Sequence, residues 1–525
     1  MTATTIGRQV LEAAERFGST EALVDGDVRL SFAELADEVL AAAAAFIGHG
    51  LQPGDRVAIW APNISEWVIA ALGASSAGGV IVPLNTRFKG REAADIVRRS
   101  GASMLLCVNG FLGNLYIDML RDSGVDLPRL RQVVVLRGDV PEGAVSWPDF
   151  LHHRGGAAAA DEVAARIRAG TADDLSDIIF TSGTTGLPKG VMCSHGQTMR
   201  VFEEWSNMVG LTHGDRYLIV NPFFHTFGYK AGFLACLIQG ATIVPEPVFD
   251  VGAVLRRVAG ERISMLPGPP TLYLSILDFP QRGAYDLSSL RLAVTGAAAV
   301  PVEMIRRMRE ELTFKVILTA YGLTESTGVV SICRPDDAPE IISTTSGRAI
   351  PNTEVRIVDD VGNEVPRGDP GEIVCRGYHV MVGYYHDPQA TEEAVDRDGW
   401  LHTGDIGIMD AAGYLAITDR KKDMFIVGGF NAYPAEIENI LLAHPSISLA
   451  SVVGVPDDRQ GEVGHAFVVA RPGHTIDAAD IIAWSREQMA NYKVPRVVHV
   501  VDALPMNASG KVLKFQLRQG VAQHH

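Results

Sequence analysis

The 525-residue chain is short of basic residues, since 46 Lys and Arg stand against 62 Asp and Glu and give a formal net charge of −16. A surface with that excess of negative charge repels polyphosphate chains and anionic lipid, so we expect no nucleic-acid partner and no membrane-surface role. It does not exclude a small anion held in a local pocket. No run of about 18 apolar residues occurs, so we expect no membrane-spanning helix. The first residues also lack the order of a signal peptide, a basic segment followed by an apolar one.

Cysteine is scarce, and several familiar catalytic motifs are missing. The five cysteines are odd in number and far apart: Cys107, Cys193, Cys236, Cys333 and Cys375. No pair has the spacing of metal ligands or of a redox couple, so we expect reduced, packed thiols in a cytoplasmic protein. The chain has no GxGxxG, GxSxG or HExxH pattern, which leaves Rossmann dehydrogenases, serine hydrolases and zincins without support.

The length of the chain and the alternation of apolar and amphipathic runs along it predict several packed units rather than one core. From residue 20 to about 340, short apolar runs alternate with longer amphipathic ones, the pattern of parallel α/β layers, and more than one sheet is needed for so many strands. From about 345, short strands follow one another with turn residues between them, which predicts an antiparallel β unit. From about 420 the pattern is mixed, so we place a domain boundary close to Arg420.

The strongest local signal is TSGTTGLPKG at 181–190, directly after the apolar run DIIF at 177–180. Gly183, Gly186 and Gly190 allow the backbone to approach a ligand closely and to point N–H groups inward as an anion nest. Four hydroxyl side chains and the ammonium group of Lys189 complete the groups needed to hold a triphosphate. This is not a Walker A loop, because Gly190 stands where Ser or Thr would follow the lysine.

Four other residues are chemically suited to such a site. Glu325 follows a glycine-containing turn, and a carboxylate beside ATP phosphates is a plausible magnesium ligand. Asp405 is expected in a tight Thr-Gly-Asp turn, where it could accept bonds from two ribose hydroxyls. Lys511, in a Ser-Gly-Lys turn, could reach into a neighbouring cleft, where a cation lowers the repulsion between two anions. His225 lies among phenylalanines, so the alternative to a catalytic role is a packed position in the core.

The stretch at 181–190 resembles the phosphate loop of the adenylate-forming superfamily of acyl-CoA synthetases, luciferases and peptide-synthetase adenylation domains. The resemblance continues in chain order through NPFFHTFG (221–228), GAA (296–298), YGLTE (321–325), GWLHTGD (399–405), DRKKDMFIVGGFNAYPAEIE (419–438) and LPMNASGKVLK (504–514). One departure is the run LTA before Tyr321, where many relatives have a glycine-containing triplet.

The resemblance implies a role for each matching residue. The implied ATP-binding residues are Thr181, Ser182, Gly183, Thr184, Thr185, Gly186, Lys189, Gly296, Ala297, Ala298, Tyr321, Gly322, Thr324, Asp405, Arg420 and Lys511. The implied catalytic residues are Lys511, His225, Thr184 and Glu325, and Thr184 and Glu325 are the implied Mg²⁺ ligands. The implied acyl-binding residues are His225, Tyr229, Gly296 and Val329, and the implied CoA-binding residues are Lys422, Gly428, Gly429, Phe430 and Lys493.

The resemblance also implies an architecture. A large N-terminal adenylation domain (1–419) would contain two stacked α/β sheet subdomains and a distorted β-barrel at about 345–419. A small, mobile α+β lid domain (420–525) would swing between two half-reactions.

The implied activity is ATP-dependent acyl-CoA synthesis through an acyl-AMP intermediate. The segments NPFFHTFGYKAG, LPGPPT and TAYGLTE resemble those of actinobacterial synthetases that thioesterify the propanoate side chain of a bicyclic indanedione during steroid-ring breakdown. Gly228 and Gly232, on either side of Tyr229, suggest room for an acid of that bulk.

Several alternatives stay open at this point. The acid could be a medium-chain fatty acid or an aryl acid, or the chain could be a stand-alone adenylation enzyme that loads a carrier protein. A non-catalytic nucleotide-binding module is a further alternative. The expected partners are ATP, CoA and a carboxylic acid, with Mg²⁺ as cofactor, no nucleic acid and no integral membrane contact, and a homodimer is left open.

Overall fold

A computed structural model describes residues 4–153, 156–181, 188–296, 300–420, 423–427, 430–457, 460–489, 491–506 and 512–522. Within these ranges no helix combines the length and apolar character needed to cross a bilayer. All five cysteines are buried and in the free thiol form, as the sequence predicts.

The first third of the chain alternates helices and strands. In order, its elements are α1 (Ile6–Phe17), β1 (Glu21–Asp25), β2 (Val28–Ser31), α2 (Phe32–Gly48), β3 (Arg56–Trp60), α3 (Ser65–Ser76), β4 (Val80–Pro83), α4 (Gly90–Ser100), β5 (Met104–Val108), α5 (Tyr116–Arg121), β6 (Gln132–Arg137), β7 (Val145–Ser146), α6 (Trp147–His152), α7 (Gly156–Ala169), β8 (Leu175–Thr181) and β9 (Lys189–Ser194). Helix α2 begins with a capping box, in which the side chains of Ser31 and Glu34 each accept a backbone N–H of the other residue.

The middle third continues the same alternation. Its elements are α8 (His195–Val209), β10 (Arg216–Ile219), α9 (Thr226–Gly228), a π-helical turn (Tyr229–Leu234), α10 (Ala235–Gln239), β11 (Thr242–Pro245), α11 (Val251–Glu261), α12 (Pro270–Leu277), β12 (Leu292–Gly296), α13 (Val302–Glu311), β13 (Val316–Tyr321), a 3₁₀ turn (Thr324–Ser326), β14 (Ser331–Ile332), α14 (Pro339–Thr344) and β15 (Arg348–Ala349). A second 3₁₀ turn, Arg282–Ala284, lies between α12 and β12.

The last third is richer in strands. Its elements are β16 (Thr353–Val358), β17 (Gly371–Gly377), β18 (Gly383–Tyr384), α15 (Pro388–Ala394), β19 (Leu401–Met409), β20 (Leu415–Arg420), β21 (Phe425–Val427), β22 (Phe430–Ala432), α16 (Pro434–Leu442), β23 (Ile447–Asp457), β24 (Gly461–Ala470), α17 (Ala478–Gln488), β25 (Val497–Val500) and α18 (Lys514–Ala522).

The strands before residue 350 form two α/β sheets, as the strand count predicts, and β18 joins one of them from later in the chain. One is eight-stranded, in the order β18-β9-β8-β4-β3-β5-β6-β7, and it is parallel from β8 to β7. The other joins β2-β1-β11-β10 to β12-β13-β14-β15 through isolated bridges of Met265. The largest apolar core draws side chains from both sheets and from helices α1, α2, α3 and α8 between them.

The antiparallel unit expected after residue 345 is a four-stranded sheet in the order β16-β17-β19-β20. One expectation about it is wrong in detail. Asp405 lies inside β19 rather than in a tight turn, although Gly404 has a positive φ of 69° and the pairing with β20 shifts just after it. A nine-residue strand with one glycine irregularity therefore replaces the expected Thr-Gly-Asp turn.

The C-terminal segment has a sheet and an apolar core of its own. Strands β22, β21, β24 and β23 form an antiparallel sheet, and β25 adds to β24 in parallel. Helices α16 and α17 contribute Ile437, Leu441 and Ile481 to the core of this unit. The chain is thus a mixed α/β protein with a large N-terminal part and a smaller α+β C-terminal part.

Candidate active site

The glycine-rich segment connects two neighbouring antiparallel strands of the large sheet. β8 ends at Thr181, β9 begins at Lys189, and these two residues are partners in the ladder. We call this connection the phosphate hairpin. The predicted ATP-binding residues within it lie outside the described residues: Ser182, Gly183, Thr184, Thr185 and Gly186.

Gly190, at the base of the phosphate hairpin, has a structural reason for being glycine. A Cβ at this position would lie 2.9 Å from Cγ2 of Ile178 and 3.0 Å from the ring of Phe180. The side chains of β8 therefore fill the space beside Gly190. Close packing against β8 is thus sufficient to require glycine at this position.

Lys189 and Glu325 are brought close together by a tyrosine that the sequence did not single out. The ammonium group of Lys189 lies 4.9 Å from the centre of the Tyr384 ring. The hydroxyl of Tyr384 donates a hydrogen bond of 2.9 Å to Oε1 of Glu325. Burial and the neighbouring Glu325 charge raise the pKa of Tyr384, so it is a neutral phenol at pH 7. A cation, a phenol and a carboxylate thus form one continuous polar surface.

Strand β18 explains how Tyr384 reaches this place. Tyr384 pairs with Val191 at the edge of the large sheet, two residues beyond Lys189. The backbone N–H of Met381 donates to the carbonyl of Glu325 at 2.8 Å and fixes the turn that carries the carboxylate. A tyrosine in the run GYY has no spacing signal of its own, so only the strand pairing reveals its position.

Tyr321 and Asp405 are also neighbours. The hydroxyl of Tyr321 donates to Oδ2 of Asp405 at 2.6 Å, and the two residues are 9% and 8% exposed. Burial and the Asp405 charge raise the pKa of Tyr321 well above its usual value. Arg420 is the ladder partner of Asp405 across β19 and β20, and its side chain lies outside the described residues. The residues predicted to hold adenine and ribose thus meet where the last residue of β13 contacts the middle of β19.

Two glycines of the predicted nucleotide site are dictated by close backbone approach. A Cβ at Gly296 would lie 2.5 Å from the carbonyl oxygen of Ala320, its ladder partner on β13. A Cβ at Gly322 would collide with the backbone of Gly328 and Val329. The loop after β13 therefore folds tightly onto itself. Thr324 lies in the 3₁₀ turn of this loop and is half-buried, whereas Ala297 and Ala298 lie outside the described residues.

The predicted acyl-binding residues lie at different depths. His225 is exposed and begins α9, where its Nδ1 accepts the N–H of Phe227 at 3.3 Å. Tyr229 is 1% exposed, and its ring packs against Trp67 and Phe233. Val329 is buried as well. The structure thus leaves His225 accessible and places Tyr229 in the core between the two sheets.

The expectation of free space beside Tyr229 is wrong. A Cβ at Gly228 would collide with the carbonyl oxygens of Asn221 and Pro222. A Cβ at Gly232 would lie 3.2 Å from Cγ2 of Ile219 on β10. Both glycines are required for close packing at and just before the π-helical turn. Their presence is therefore no evidence for a large substrate pocket.

A buried ion pair that the sequence did not predict connects the π-helical turn to strand β8. Nζ of Lys230 lies 2.9 Å from Oδ1 of Asp177, and both side chains are 0% exposed. Burial alone would lower the pKa of Lys230, but the charge of Asp177 raises it. Asp177 is on β8, and Ser176 donates to its other oxygen at 2.6 Å. The available signal was a charged residue next to an apolar run in both places, Asp177 at the start of DIIF and Lys230 directly before AGFLACLIQG.

The C-terminal predictions are mostly beyond the described residues. This holds for Lys422, Gly428, Gly429 and Lys511, and for the side chain of Phe430. Lys493 is described, and its ammonium group is paired with the carboxylate of Glu436. That charge raises the pKa of Lys493 against the lowering effect of its partial burial. Binding of a CoA phosphate by Lys493 would therefore compete with Glu436.

Comparison with known proteins agrees with this geometry. Residues 10–385 match the family model "AMP-binding enzyme", and residues 436–511 match "AMP-binding enzyme C-terminal domain". A Rhodococcus jostii protein, 3-[(3aS,4S,7aS)-7a-methyl-1,5-dioxo-octahydro-1H-inden-4-yl]propanoyl:CoA ligase, is 51% identical over 98% of both chains. A Mycobacterium tuberculosis ligase of the same name is 51% identical over 95% of both chains.

Solved structures show the same fold. The anthranilate CoA ligase AuaEII, crystallised with anthranoyl-AMP, superposes with a TM-score of 0.87 at 27% sequence identity. The match covers 99% of this chain and 98% of that one. Together with the two family models and the polar surface around Glu325, these matches establish that the chain belongs to the AMP-binding enzyme family, as an acyl-CoA ligase.

Proposed function

We propose that this chain uses ATP to form the CoA thioester of the bicyclic indanedione propanoate named in its two relatives, through an acyl-AMP intermediate. The observation that carries the proposal is the 51% identity over 98% of both chains with a ligase of that acid. The grouping of Lys189, Tyr384 and Glu325 at the phosphate hairpin supports the nucleotide half of the proposal.

In the first half-reaction, a carboxylate oxygen of the acid attacks the α-phosphorus of ATP. The bond to pyrophosphate breaks, and a mixed anhydride of the acid and AMP forms. Two anions must approach each other in this step, so cations at the phosphates lower the barrier. We assign this role to Lys189, at the base of the phosphate hairpin, and to Lys511.

In the second half-reaction, the thiolate of CoA attacks the activated carbonyl, and AMP leaves with the electrons of the broken C–O bond. A bare carboxylate could not react in this way, because its charge repels the nucleophile and oxide is a very poor leaving group. We propose that the C-terminal part, placed at 420–525, rotates between the two steps. Lys422, Gly428, Gly429, Phe430 and Lys493 would then line the CoA path.

We further propose that the ribose hydroxyls bind Asp405, with Arg420 beside it, and that adenine lies against Tyr321. The burial of Asp405 supports this assignment, because a carboxylate in such surroundings forms stronger hydrogen bonds than one in water. The Tyr321 hydroxyl already orients this carboxylate at 2.6 Å.

Glu325 fits a magnesium ion. Its described hydrogen bond comes from a neutral phenol, so the negative charge of the carboxylate stays available. Mg²⁺ prefers oxygen ligands, keeps several waters and binds through one or two carboxylates together with substrate phosphates. The described residues contain no group of three or more His, Cys, Asp and Glu side chains placed to hold a metal. Glu325, with Thr184, would therefore hold an ion that arrives with ATP and neutralises phosphate charge.

The test is a comparison of acids. The purified chain is assayed for CoA thioester formation with the indanedione propanoate, octanoate and benzoate, and kcat/KM is compared. We expect the indanedione propanoate to exceed the other two by at least about a hundredfold, the order of discrimination that a shaped binding pocket provides. A higher value for octanoate or benzoate would assign the chain to the medium-chain or aryl acid ligases.

The carrier-protein alternative needs its own control. ATP–pyrophosphate exchange that depends on the acid, with no consumption of CoA, would favour a stand-alone adenylation enzyme. A cytoplasmic location stays a prediction from the sequence, and the sequence leaves a homodimer open.

A further inference from the structure

A basic cavity of about 460 Å³ lies next to strands β8 and β9, where α4 ends. Its lining includes the charged and aromatic residues Arg56, Arg98, Arg99, Arg129, Tyr385 and His386. Four arginines around one cavity are unexpected in a chain with a net charge of −16. Such a local reversal of charge attracts anions.

The positive charge of this cavity is largely uncompensated. Arg56 donates to the carbonyl oxygens of Ser100 at 2.8 Å, Gly54 at 2.8 Å and Gly101 at 3.2 Å, so it is held in place without losing its charge. Among the residues that the structure describes, Arg129 forms no ion pair with a carboxylate, and Asp55 pairs with the neighbouring Arg131 instead. Asp95 is shared by Arg98 at 2.6 Å and Arg99 at 3.5 Å, one carboxylate for two guanidinium groups.

A glycine keeps the space between two of the arginines open. Gly101 follows α4 with φ +63°, in the left-handed region. A Cβ there would lie 3.0 Å from Nη2 of Arg56 and 3.2 Å from Cδ of Arg129. Any larger residue would therefore crowd the two guanidinium arms and reduce the cavity.

The residues that line the cavity contact strands β8 and β9, which the phosphate hairpin connects. The guanidinium of Arg99 lies 5.4 Å from the centre of the Phe180 ring, next to the last residue of β8. The backbone N–H of Tyr385 donates to the carbonyl of Gly190 on β9 at 2.7 Å. Tyr385 also directly follows Tyr384, which holds Glu325. A molecule in the cavity would thus contact the supports of the catalytic surface without entering it.

The size and the lining indicate the kind of ligand. The volume exceeds the needs of a bare phosphate, and the apolar side chains of Val97, Leu127 and Leu130 form part of the wall. Arginine is suited to phosphate because its planar fork can donate two parallel hydrogen bonds. We propose that this cavity is a second nucleotide site, which binds a nucleoside phosphate with its phosphate on the arginines and its ring system against Tyr385 and the apolar wall.

Two sources share this chemistry: free AMP, which the proposed second half-reaction releases, and the phosphoadenosine part of CoA. The AMP source rests on the proposed function, whereas the cavity itself does not. The probes are therefore AMP and adenosine 3′,5′-bisphosphate, each used alone.

The experiment counts bound nucleotide per chain by equilibrium dialysis with each labelled probe. The test variant is Arg98→Gln/Arg129→Gln, because both side chains are exposed and their loss should not disturb folding. The matched control is Arg121→Gln/Arg131→Gln, which removes the same charge from nearby arginines outside the lining. Circular dichroism checks that all three proteins are folded.

We expect two sites in the wild type and in the control, and a second site weakened at least about tenfold in the test variant, since two charge-assisted contacts are lost. A loss seen only with the bisphosphate would identify CoA as the source. One site in both wild type and test variant, or two in both, would overturn the proposal. One site in the wild type and none in the variant would support the cavity but refute nucleotide binding at the proposed catalytic site.

Discussion

At the scale of single residues, Glu325 depends on a neutral phenol for its orientation. The 2.9 Å bond from Tyr384 holds the carboxylate without neutralising it. Tyr384→Phe should therefore leave the fold intact but let the carboxylate turn away from the phosphates. A typical hydrogen bond contributes about 1 kcal/mol, so we expect roughly a fivefold loss in kcat/KM for ATP at limiting Mg²⁺. The loss in kcat/KM is measured by acid-dependent ATP–pyrophosphate exchange at several Mg²⁺ concentrations.

The control for this prediction is Tyr385→Phe, because that hydroxyl belongs to the adjacent residue and not to the Glu325 bond. If Tyr384→Phe keeps the full exchange rate and the full Mg²⁺ affinity, the phenol does not position Glu325.

The buried pair of Lys230 and Asp177 gives a prediction about stability. Lys230→Met removes one charge and leaves the Asp177 carboxylate buried without its cation. Breaking a buried pair in this way costs about 3–5 kcal/mol. Urea unfolding should show a loss of that order in the free energy of unfolding.

The matched control removes both charges. In Lys230→Met/Asp177→Leu no unpaired charge is left, so much of the loss should be recovered. A double variant that is less stable than Lys230→Met, or a single variant as stable as the wild type, would contradict the account.

At the scale of elements, α8 and α1 meet at a neutral histidine. His195 is the first residue of α8, and its Nδ1 accepts the N–H of Ile6 at the start of α1, at 3.4 Å. Burial lowers the pKa of His195 to about 4. The unfolded chain takes up this proton near pH 6.5 and the folded chain does not, so stability is present above pH 6.5 and is lost as the pH falls toward 4.

His195→Gln should therefore flatten the pH dependence of stability between pH 6.5 and about 4. At about pH 4, protonation of the unfolded chain at this histidine has lowered the free energy of unfolding by about 3 kcal/mol, since one pKa unit is worth about 1.4 kcal/mol. Thermal or urea unfolding at several pH values measures this. The exposed His152→Gln is the control, and parallel curves for wild type and His195→Gln would refute the assignment.

Local sequence rules predicted many of the elements. The alternation of strands and helices before about residue 340 and the run of short strands after it were foreseen because short-range patterns determine them. Strands β18 and β19 were not foreseen as strands, since two residues are too few for a periodic signal and GWLHTGD reads as a turn. The place of Tyr384 and the setting of Asp405 depend on those two strands.

At the scale of the whole molecule, catalysis is proposed to need both parts of the chain. We expect Lys511→Ala to reduce acyl-AMP formation by about 10²–10³-fold, the usual effect of removing one charge-stabilising group, and to leave thioester formation from supplied acyl-AMP intact. Lys514→Ala is the control, because this nearby lysine is paired with Glu438 in the C-terminal part. An equal loss in both half-reactions would contradict this division of labour.

The order of motifs along the sequence made the family predictable. What it could not supply were contacts between distant elements: the pairing of Lys230 with Asp177, the bond from Tyr384 to Glu325, and the filling of the space beside Gly228 by Asn221. These depend on how two sheets and their helices pack, and no local pattern encodes that.

The central claim is that the acid is activated as an acyl-AMP, and isotope transfer tests it most directly. The acid is labelled with ¹⁸O in both carboxylate oxygens, converted with ATP and CoA, and the products are analysed by mass spectrometry. Attack on the α-phosphorus predicts one ¹⁸O in AMP and none in pyrophosphate. Unlabelled AMP, or ¹⁸O in inorganic phosphate formed together with ADP, would contradict the account.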